Sequence, residues 1–373
     1  MKVSRDEFFL GKCLSLAKKG CGLVSPNPMV GAVIVKGSHI VGYGWHRVFG
    51  FPHAEVEALN MAGERAKGAT LYVNLEPCCH YGKTPPCVDA IIKSGIKKVI
   101  FSTIDPNPFV NGKSVSILEN KGINVGYGIL EKESRDLNEA YFTYINKKRP
   151  FISLKWAMSI DGKIANEKGE SKWITSDEAR QYNRKLRFEY DAILTGVNTI
   201  IKDNPYLDYQ SPSYLAKKEI INRKKYYKVV LDSSLRIPRL SNVFLNTSAK
   251  LLLFVKKGIS VNENSDNIEI VELDEVEQGM LDVRQAVNYL YNLGVGKLFI
   301  EGGTKVLTSF YRLNLFDTIY AFIGSRILGG SAVYPPIEGK PVPLDSQKSL
   351  DIKEVVKFST DLLLLLKNVH RNN

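Results

Sequence analysis

The apolar positions of the chain change period repeatedly, and the changes mark out alternating helices and strands. Ser4 followed by Glu7 makes a capping box, and Leu10, Cys13, Leu14 and Ala17 then fall on one helical face that Gly20 closes. Val30 to Val35 is a nearly continuous apolar run rich in β-branched residues, which predicts a strand buried on both faces. Ile40 to Trp45 follows after Gly37-Ser38-His39, so the two runs are expected to form a hairpin. Beyond it the pattern predicts a helix over Ala54 to Ala66, a strand over Thr70 to Leu75 and a helix over Cys87 to Ser94. A strand over Lys98 to Thr103, a helix over Ser114 to Asn120, a strand over Ile123 to Tyr127 and a helix over Leu130 to Ile145 follow. Strands separated by helices imply a sheet with parallel neighbours, covered on both faces.

Pro150 disfavours helix in the residue before it, and the basic segment Asn146 to Arg149 precedes it, so a domain boundary is expected there. The pattern then restarts with a strand over Phe151 to Ala157. Further strands are expected at Asp191 to Thr195, Val229 to Asp232, Leu251 to Val255, Ile268 to Leu273, Lys297 to Ile300 and Thr318 to Ile323, with helices at Ser176 to Glu189, Asp282 to Leu293 and Thr304 to Leu313. Gln210 to Lys228 is polar and tyrosine-rich without clear periodicity and reads as a long loop or insertion. The expectation is an α/β protein of two domains, residues 1–147 and 150–370; the length of 373 residues gives each half enough chain for its own core.

Composition changes this picture little. Hydrophobic residues at 44% and charged residues at 24% are ordinary for a globular protein, excluding disorder and a disulfide scaffold as descriptions of the whole. The net charge of +12 comes from scattered basic pairs and triplets such as Lys97-Lys98 and Arg223-Lys224-Lys225, with acids between them. A solvated basic surface accounts for that distribution better than a nucleic-acid stripe. No run approaches the length of a membrane span, Leu362 to Leu366 being too short, and Arg5, Asp6, Glu7 and Lys12 stand where a signal peptide needs an apolar core. A cytoplasmic protein with neither a nucleic-acid nor a membrane partner is expected; a homo-oligomer stays open.

The five cysteines are where chemistry enters. Cys78, Cys79 and Cys87 crowd together, an arrangement that argues for metal or catalysis over disulfides, whereas Cys13 and Cys21 read as packing or idle thiols. Upstream, His53-Ala54-Glu55 lies where a loop runs into a helix, and Glu76-Pro77-Cys78-Cys79-His80 precedes Cys87. Zinc takes deprotonated sulfur or neutral imidazole, and a catalytic site keeps one of its four positions open for water. His53, Cys78 and Cys87 can supply three ligands, and Glu55 a carboxylate to move protons between the nucleophile and a leaving group. This is the H-x-E and P-C signature of zinc nucleobase deaminases, except that the second cysteine stands nine positions on at Cys87; Cys79 and His80 remain alternatives. In the second half Glu301-Gly302-Gly303-Thr304 joins a strand to a helix, a turn that admits a phosphate to the helix N-terminus or simply serves as a tight turn. No G-x-G-x-x-G accompanies it, so a Rossmann domain is disfavoured.

Taken together, the motifs carry a resemblance. Glu76 to Cys87, with Ser25-Pro26-Asn27-Pro28-Met29-Val30-Gly31 before it and Asp105-Pro106-Asn107-Pro108 after it, is similar to the riboflavin-biosynthesis deaminase family. Leu154 to Gly162, Glu170 to Thr175, Asp203-Asn204-Pro205, Glu301-Gly302-Gly303 and Leu328-Gly329-Gly330 resemble the reductase fused to it. The resemblance implies an N-terminal cytidine-deaminase-like αβα domain and a C-terminal dihydrofolate-reductase-like α/β domain. It implies zinc on His53, Cys78 and Cys87 with Glu55 catalytic, and a phosphorylated pyrimidine ribosylamine as substrate. It places that substrate against Asn27, His80, Lys83 and Asn107 in the deaminase half, with Lys83 suited to the phosphate. In the reductase half it implies NADPH held by Ala157, Trp173, Thr199, Asp203, Ser233, Gly303, Thr304, Lys305, Val306, Leu307, Thr308 and Ser309. Ser171, Arg187, Leu207 and Glu301 would hold the substrate, Arg187 as a phosphate fork or as a solvated residue of a basic helix.

Where the family commonly carries a second arginine after Leu207, this chain has Gln210, with Arg184 as a neighbour that could take its part. Lys155 and Asp203 are the ionisable candidates for handling the reductase proton, Lys155 reading equally well as a solvent-facing lysine. The rival functions are a zinc deaminase acting on RNA with a vestigial nucleotide-binding half, and a non-catalytic zinc module fused to a nucleotide-binding domain.

Overall fold

The computed structural model describes residues 4–82, 85–213, 221–245, 249–259, 267–330, 334–340 and 350–369. The chain divides into two compact units, Met1–Arg149 with Glu219–Lys224, and Pro150–Lys218 with Lys225–Asn373.

The first unit is built on a five-stranded sheet. Strands β1 (Gly31–Lys36) and β2 (His39–Trp45) form an antiparallel hairpin, and β1 also pairs antiparallel with β3 (Thr70–Val73). β4 (Lys98–Phe101) and β5 (Asn124–Tyr127) continue in parallel, giving the order β2-β1-β3-β4-β5. Alternation along β1 explains how both faces become buried. Ala32 and Ile34 point to a core shared with Ala58 and Ala62 of helix α2 (Ala54–Ala62) and Val88 and Ile91 of α3 (Cys87–Lys93). Val33 and Val35 face Phe9, Leu10 and Cys13 of α1 (Arg5–Ala17) on the other side. Helix α2 lies so close to β2 that a Cβ on Gly42 would stand 2.3 Å from the Ala58 carbonyl oxygen, so only glycine fits there. Ser4 caps α1 through the reciprocal bonds expected of the capping box.

After α4 (Lys113–Glu119), the single helix expected over Leu130 to Ile145 is two: α5 (Glu131–Leu137) and α6 (Glu139–Lys147). Asn138 breaks it. Its amide nitrogen donates to the Met29 carbonyl at 3.0 Å and its Oδ1 accepts from the Met29 backbone N–H at 2.7 Å, and its backbone leaves helical geometry to allow this.

The second unit holds a nine-stranded sheet. Parallel neighbours run from β10 (Ile268–Leu273) through β9 (Lys250–Lys256), β8 (Tyr227–Leu231), β7 (Ala192–Gly196), β13 (Lys297–Glu301) and β6 (Phe151–Ser159) to β14 (Thr318–Gly324). Two antiparallel strands, β16 (Leu362–Asn368) and β15 (Leu350–Lys357), close that edge. Leu154, Leu194 and Ile300 pack on one face with helices α9 (Val283–Asn292) and α10 (Thr304–Arg312). Ile193 and Phe299 face the opposite side with Leu186 of α7 (Asp177–Arg187) and Ile200 of α8 (Val197–Asp203).

Helix α8 was not expected, because seven residues directly after a strand are too short to display a period. The last two strands were missed for opposite reasons. Nearly every residue of β15 is exposed, so no alternation shows, and β16 is apolar almost throughout. A small hairpin, β11 (Glu275–Glu277) and β12 (Met280–Leu281), also went unanticipated. Within the expected loop over Gln210 to Lys228, β8 already begins at Tyr227, while 214–220 lie outside the described residues.

Candidate functional site

Three local features of the first unit converge. His53 is the N-cap residue of α2, Cys87 opens α3, and Cys78 sits in the loop that follows β3. Their ligand atoms all lie within 4.8 Å of one another. His53 Nδ1 is 3.3 Å from Cys87 Sγ and 3.5 Å from Cys78 Sγ, and the backbone N–H of Cys87 donates to Cys78 Sγ at 3.3 Å. Cys79 turns elsewhere, its thiol meeting the Phe109 carbonyl at 3.6 Å, so of the adjacent pair it is Cys78 that joins His53 and Cys87.

Hydrogen bonding from Cys87, then from His53, overcomes burial and holds the Cys78 thiol at about 4, while the same pairing raises Cys87. Glu55, in the first turn of α2, is 3% exposed; burial pushes its carboxyl up to about 7 against the opposing pull of His53, and its Oε2 has no hydrogen-bond partner. One imidazole, two thiols and a buried carboxylate with an uncommitted oxygen are the donor set of a zinc site that keeps a position open. The residues fit the metal.

The surroundings brace this cluster. The Asn27 amide lies 3.3 Å from His46 Nε2, and His46 Nδ1 lies 3.2 Å from the Pro52 carbonyl. A carbonyl only accepts, so Nδ1 carries the proton and Nε2 accepts from Asn27. Burial lowers His46 to about 4, which keeps it neutral. Asn27 is thereby tied to the residue preceding His53. Asn107 uses its Oδ1 to accept the Phe109 backbone N–H at 3.1 Å, the turn chemistry Asn favours. Glu76 clamps the same loop from below: its buried carboxylate accepts backbone N–H groups of Asp105, Gly112 and Ser114 and the Ser114 hydroxyl. His80 stands 5.8 Å from the Phe109 ring with a buried, unpartnered Nδ1. Lys83 lies outside the described residues. Sequence reasoning overlooked His46, which belongs to no spacing that signals chemistry, and took Glu76 only as the start of the Glu76-to-Cys87 motif, without its clamping role.

In the second unit a cavity of about 930 Å³ opens beside the Gly302-Gly303 turn. Of the residues assigned to NADPH, Ala157, Trp173, Thr199, Asp203, Ser233, Gly303, Thr304, Lys305, Val306 and Ser309 line it, as do Ser171, Arg187, Leu207 and Glu301. Leu307 and Thr308 do not. Leu307 packs in the core, and the Thr308 hydroxyl accepts the Glu338 backbone N–H, because only one face of α10 meets the cavity. A Cβ on Gly302 would stand 2.9 Å from Val306 Cβ, so the turn needs its glycine.

At one wall stands a charge network. Arg187 donates from Nε to Glu301 Oε1 at 2.5 Å, from Nη2 to Glu301 Oε2 at 3.0 Å, and from Nη1 to the Asp208 carbonyl at 2.9 Å. Neither expectation for Arg187, phosphate fork or solvated residue, describes it: its side chain is 14% exposed and its fork is given to Glu301. Lys155 is not solvent-facing either, since its side chain is 17% exposed and its ammonium lies 3.6 Å from Glu301 Oε2. Burial lowers Lys155 despite that carboxylate. Burial alone would raise Glu301, but Arg187 and then Lys155 overcome it and hold the carboxyl at about 2. Asp203 accepts the Ser171 hydroxyl at 3.3 Å. Leu207 takes a left-handed backbone, φ 54°, with its carbonyl held by the Tyr226 hydroxyl at 2.7 Å. Gln210 does not line the cavity, whereas Arg184 does, exposed and without an ion pair among the described residues.

Residues 150–364 match the family described as RibD C-terminal domain, and residues 3–103 match the cytidine and deoxycytidylate deaminase zinc-binding region. The riboflavin biosynthesis protein RibD of Aquifex aeolicus is 42% identical over 364 residues, covering 97% of this chain and 98% of that one. The Escherichia coli protein of the same name is 35% identical, covering 88% and 90%. Acinetobacter baumannii RibD superposes with a TM-score of 0.88 at 31% identity, over 99% of this chain and 100% of that one. A diaminohydroxyphosphoribosylaminopyrimidine deaminase/5-amino-6-(5-phosphoribosylamino)uracil reductase of Thermotoga maritima does so with a TM-score of 0.84 at 35% identity, over 98% and 99%.

Proposed function

Since the chain belongs to the RibD family of bifunctional deaminase/reductases in riboflavin biosynthesis, with zinc and NADPH as cofactors, we propose how its two units divide the work. Residues 1–147 deaminate a phosphorylated diaminopyrimidinone ribosylamine, and residues 150–370 reduce the ribosyl chain of the product to ribityl. The observation that carries the reading is the convergence of His53, Cys78 and Cys87 beside the uncommitted oxygen of Glu55.

His53, Cys78 and Cys87 would hold the zinc, which would acidify a water toward neutral pH as the nucleophile. Glu55 takes a proton from that water and delivers it to the departing amino nitrogen, so ammonia leaves as the ring carbon gains oxygen. Asn27, held by His46, and Asn107, His80 and Lys83 contact the base, ribose and phosphate.

The cavity of the second unit would hold NADPH, which would supply a hydride to C1′ of the opened ribose or its imine. Gly303, Thr304, Lys305, Val306 and Ser309 line the cavity at the start of α10 and bring its N-terminus to the cofactor phosphates. Glu301, kept ionised by Arg187, faces the substrate with Ser171 and Leu207. Because the fork of Arg187 is given to Glu301, the substrate phosphate is assigned to exposed Arg184. Lys155 and Asp203 are the groups along the cavity able to handle the proton.

The setting is cytoplasmic, with neither a nucleic-acid nor a membrane partner in this reading; among the described residues no helix is long and apolar enough to cross a membrane. The test is a single reaction containing the phosphorylated diaminopyrimidine ribosylamine, followed by ammonia release and nicotinamide absorbance. Ammonia release and then NADPH consumption are expected. Glu55→Gln should retain zinc, lose ammonia release by about 10²–10⁴-fold and still oxidise NADPH with pre-deaminated substrate. Absence of both signals from zinc-loaded protein overturns the reading.

A further inference from the structure

Asn183 lies on α7 one turn before Arg187 and is 7% exposed. Its Nδ2 is 3.3 Å from both carboxylate oxygens of Glu301. Chemistry decides which end of the amide faces that way: an ionised carboxylate only accepts, so the NH₂ group must point at Glu301 and Oδ1 must point away. That Oδ1 is buried and has no donor, although Asn183 lines the cavity. A buried acceptor without a donor carries its full desolvation cost, which native structures tolerate chiefly where a ligand or an ordered water supplies the missing bond. The same cavity is lined by Trp156, whose buried indole N–H is likewise unpartnered. At Asn183 Oδ1 the wall beside Glu301 therefore presents hydrogen-bonding capacity that the protein itself does not use.

We propose that Asn183 is a further substrate-binding residue of the reductase unit, its Oδ1 accepting a hydrogen bond from an N–H of the pyrimidine or an O–H of the ribosyl chain. This rests on the function proposed above, which puts that substrate against Glu301. It gives Asn183 two tasks, one per end of the amide: Nδ2 helps hold Glu301, and Oδ1 reads the substrate. A site built to accept a hydrogen bond discriminates against ligands that cannot donate one, so Asn183 contributes to specificity as well as affinity.

The test is titration calorimetry with the ribityl product, 5-amino-6-ribitylaminouracil 5′-phosphate, and NMR titration with two fragments of it, 5,6-diaminouracil and ribitol 5-phosphate. The full-length protein is compared with Asn183→Leu, or with Asn183→Ala if the leucine variant does not fold, NADPH affinity serving as the folding control. Product affinity is expected to fall about tenfold or more, with a matching loss for one fragment and none for the other. The fragment that suffers identifies the ring or the ribityl chain as the donor.

The Glu301→Gln background separates contact from positioning. A tenfold loss that persists there is the signature of Oδ1, whereas a loss that vanishes means that Asn183 acts only through Glu301 and overturns the proposal. Unchanged product affinity in Asn183→Leu overturns it as well. Failure of the wild-type protein to bind the product overturns the underlying functional reading, and this inference with it.

Discussion

The two candidate sites balance buried polar groups in opposite ways. Around His53, Cys78 and Cys87 the protein gathers soft donors and one carboxylate, with no cation of its own among the described partners of Glu55 Oε2. Around Glu301 it gathers the countercharges itself: a two-pronged Arg187, the Lys155 ammonium and the Asn183 amide all converge on one carboxylate. The first arrangement is complete only with an ion, because closely spaced thiolates repel until a metal neutralises them. The second is electrostatically closed before any ligand arrives, and what it leaves open is neutral hydrogen-bonding capacity. One unit should therefore fail when its metal is removed, and the other when its carboxylate is neutralised.

The largest effect follows from metal loss. Cys78→Ala, or chelation of the wild-type protein, should drop ammonia release to the uncatalysed rate, while NADPH oxidation with pre-deaminated substrate stays within about twofold, as expected for sites without shared partners. Added zinc should restore the chelated wild type and not the variant. A parallel fall in both activities would show that the two sites are not independent and would break the comparison.

Neutralising the carboxylate tests the other side. Glu301 has a folded value of about 2 against an ordinary 4.5, so its ionised form is stabilised by folding. That contribution is fully present above pH 4.5 and is lost as the pH falls through 2. A shift of this size corresponds to about 3 kcal/mol. Glu301→Gln should lower urea-unfolding stability by that order at pH 7, since it leaves Arg187 buried without its partner. The gap to wild type should narrow between pH 4.5 and pH 2, because protonated Glu301 is then neutral like the glutamine. A constant gap across that range would mean that Arg187 and Lys155 do not govern the carboxylate. Zinc content should not change.

The same contrast explains what the sequence disclosed. The metal cluster was legible because each candidate ligand sits in a short motif at a helix start or loop, although the spacing to Cys87 left Cys79 and His80 open and the family resemblance pointed to the final set. The network around Glu301 was not. Arg187 and Glu301 are 114 positions apart, and Asn183 and Glu301 are 118 apart, so neither the fork's commitment nor the role of Asn183 leaves a mark on local pattern. Lys155 read as either a proton-handling or a solvent-facing lysine for the same reason: its strand neighbours say which face it occupies but not that Glu301 waits there. The run from Gly303 to Ser309 was taken whole, whereas a helix turns Leu307 and Thr308 away from the face that Gly303 and Val306 present. Among the elements, long periodic segments came through with shifts of a residue or two at their ends, except that the helix expected over Ala54 to Ala66 is α-helical only to Ala62 and tightens to a 3-10 turn over Gly63–Ala66. The break at Asn138 was hidden because its cause is Met29, far away in the sequence.

The smallest effect sharpens the comparison by touching the reductase unit without touching any charge. Gly302 packs so close to Val306 that an added methyl group meets its Cβ at 2.9 Å, and the clash falls on the first turn of α10. Since Val306 is held between the core and the cavity, the turn has to shift by a few tenths of an ångström, and with it the backbone N–H groups at the start of the helix. Gly302→Ala should therefore weaken NADPH about threefold to tenfold, as expected when a hydrogen bond or two lose alignment. The Glu301 pH profile, zinc content and ammonia release should be preserved. If NADPH binds the variant as it binds wild type, the N-terminus of α10 is not where the cofactor phosphates sit, and the glycine serves packing alone. If the pH profile moves as well, the turn and the charge network are mechanically one structure, and the reductase site is less divisible than its separate hydrogen bonds suggest.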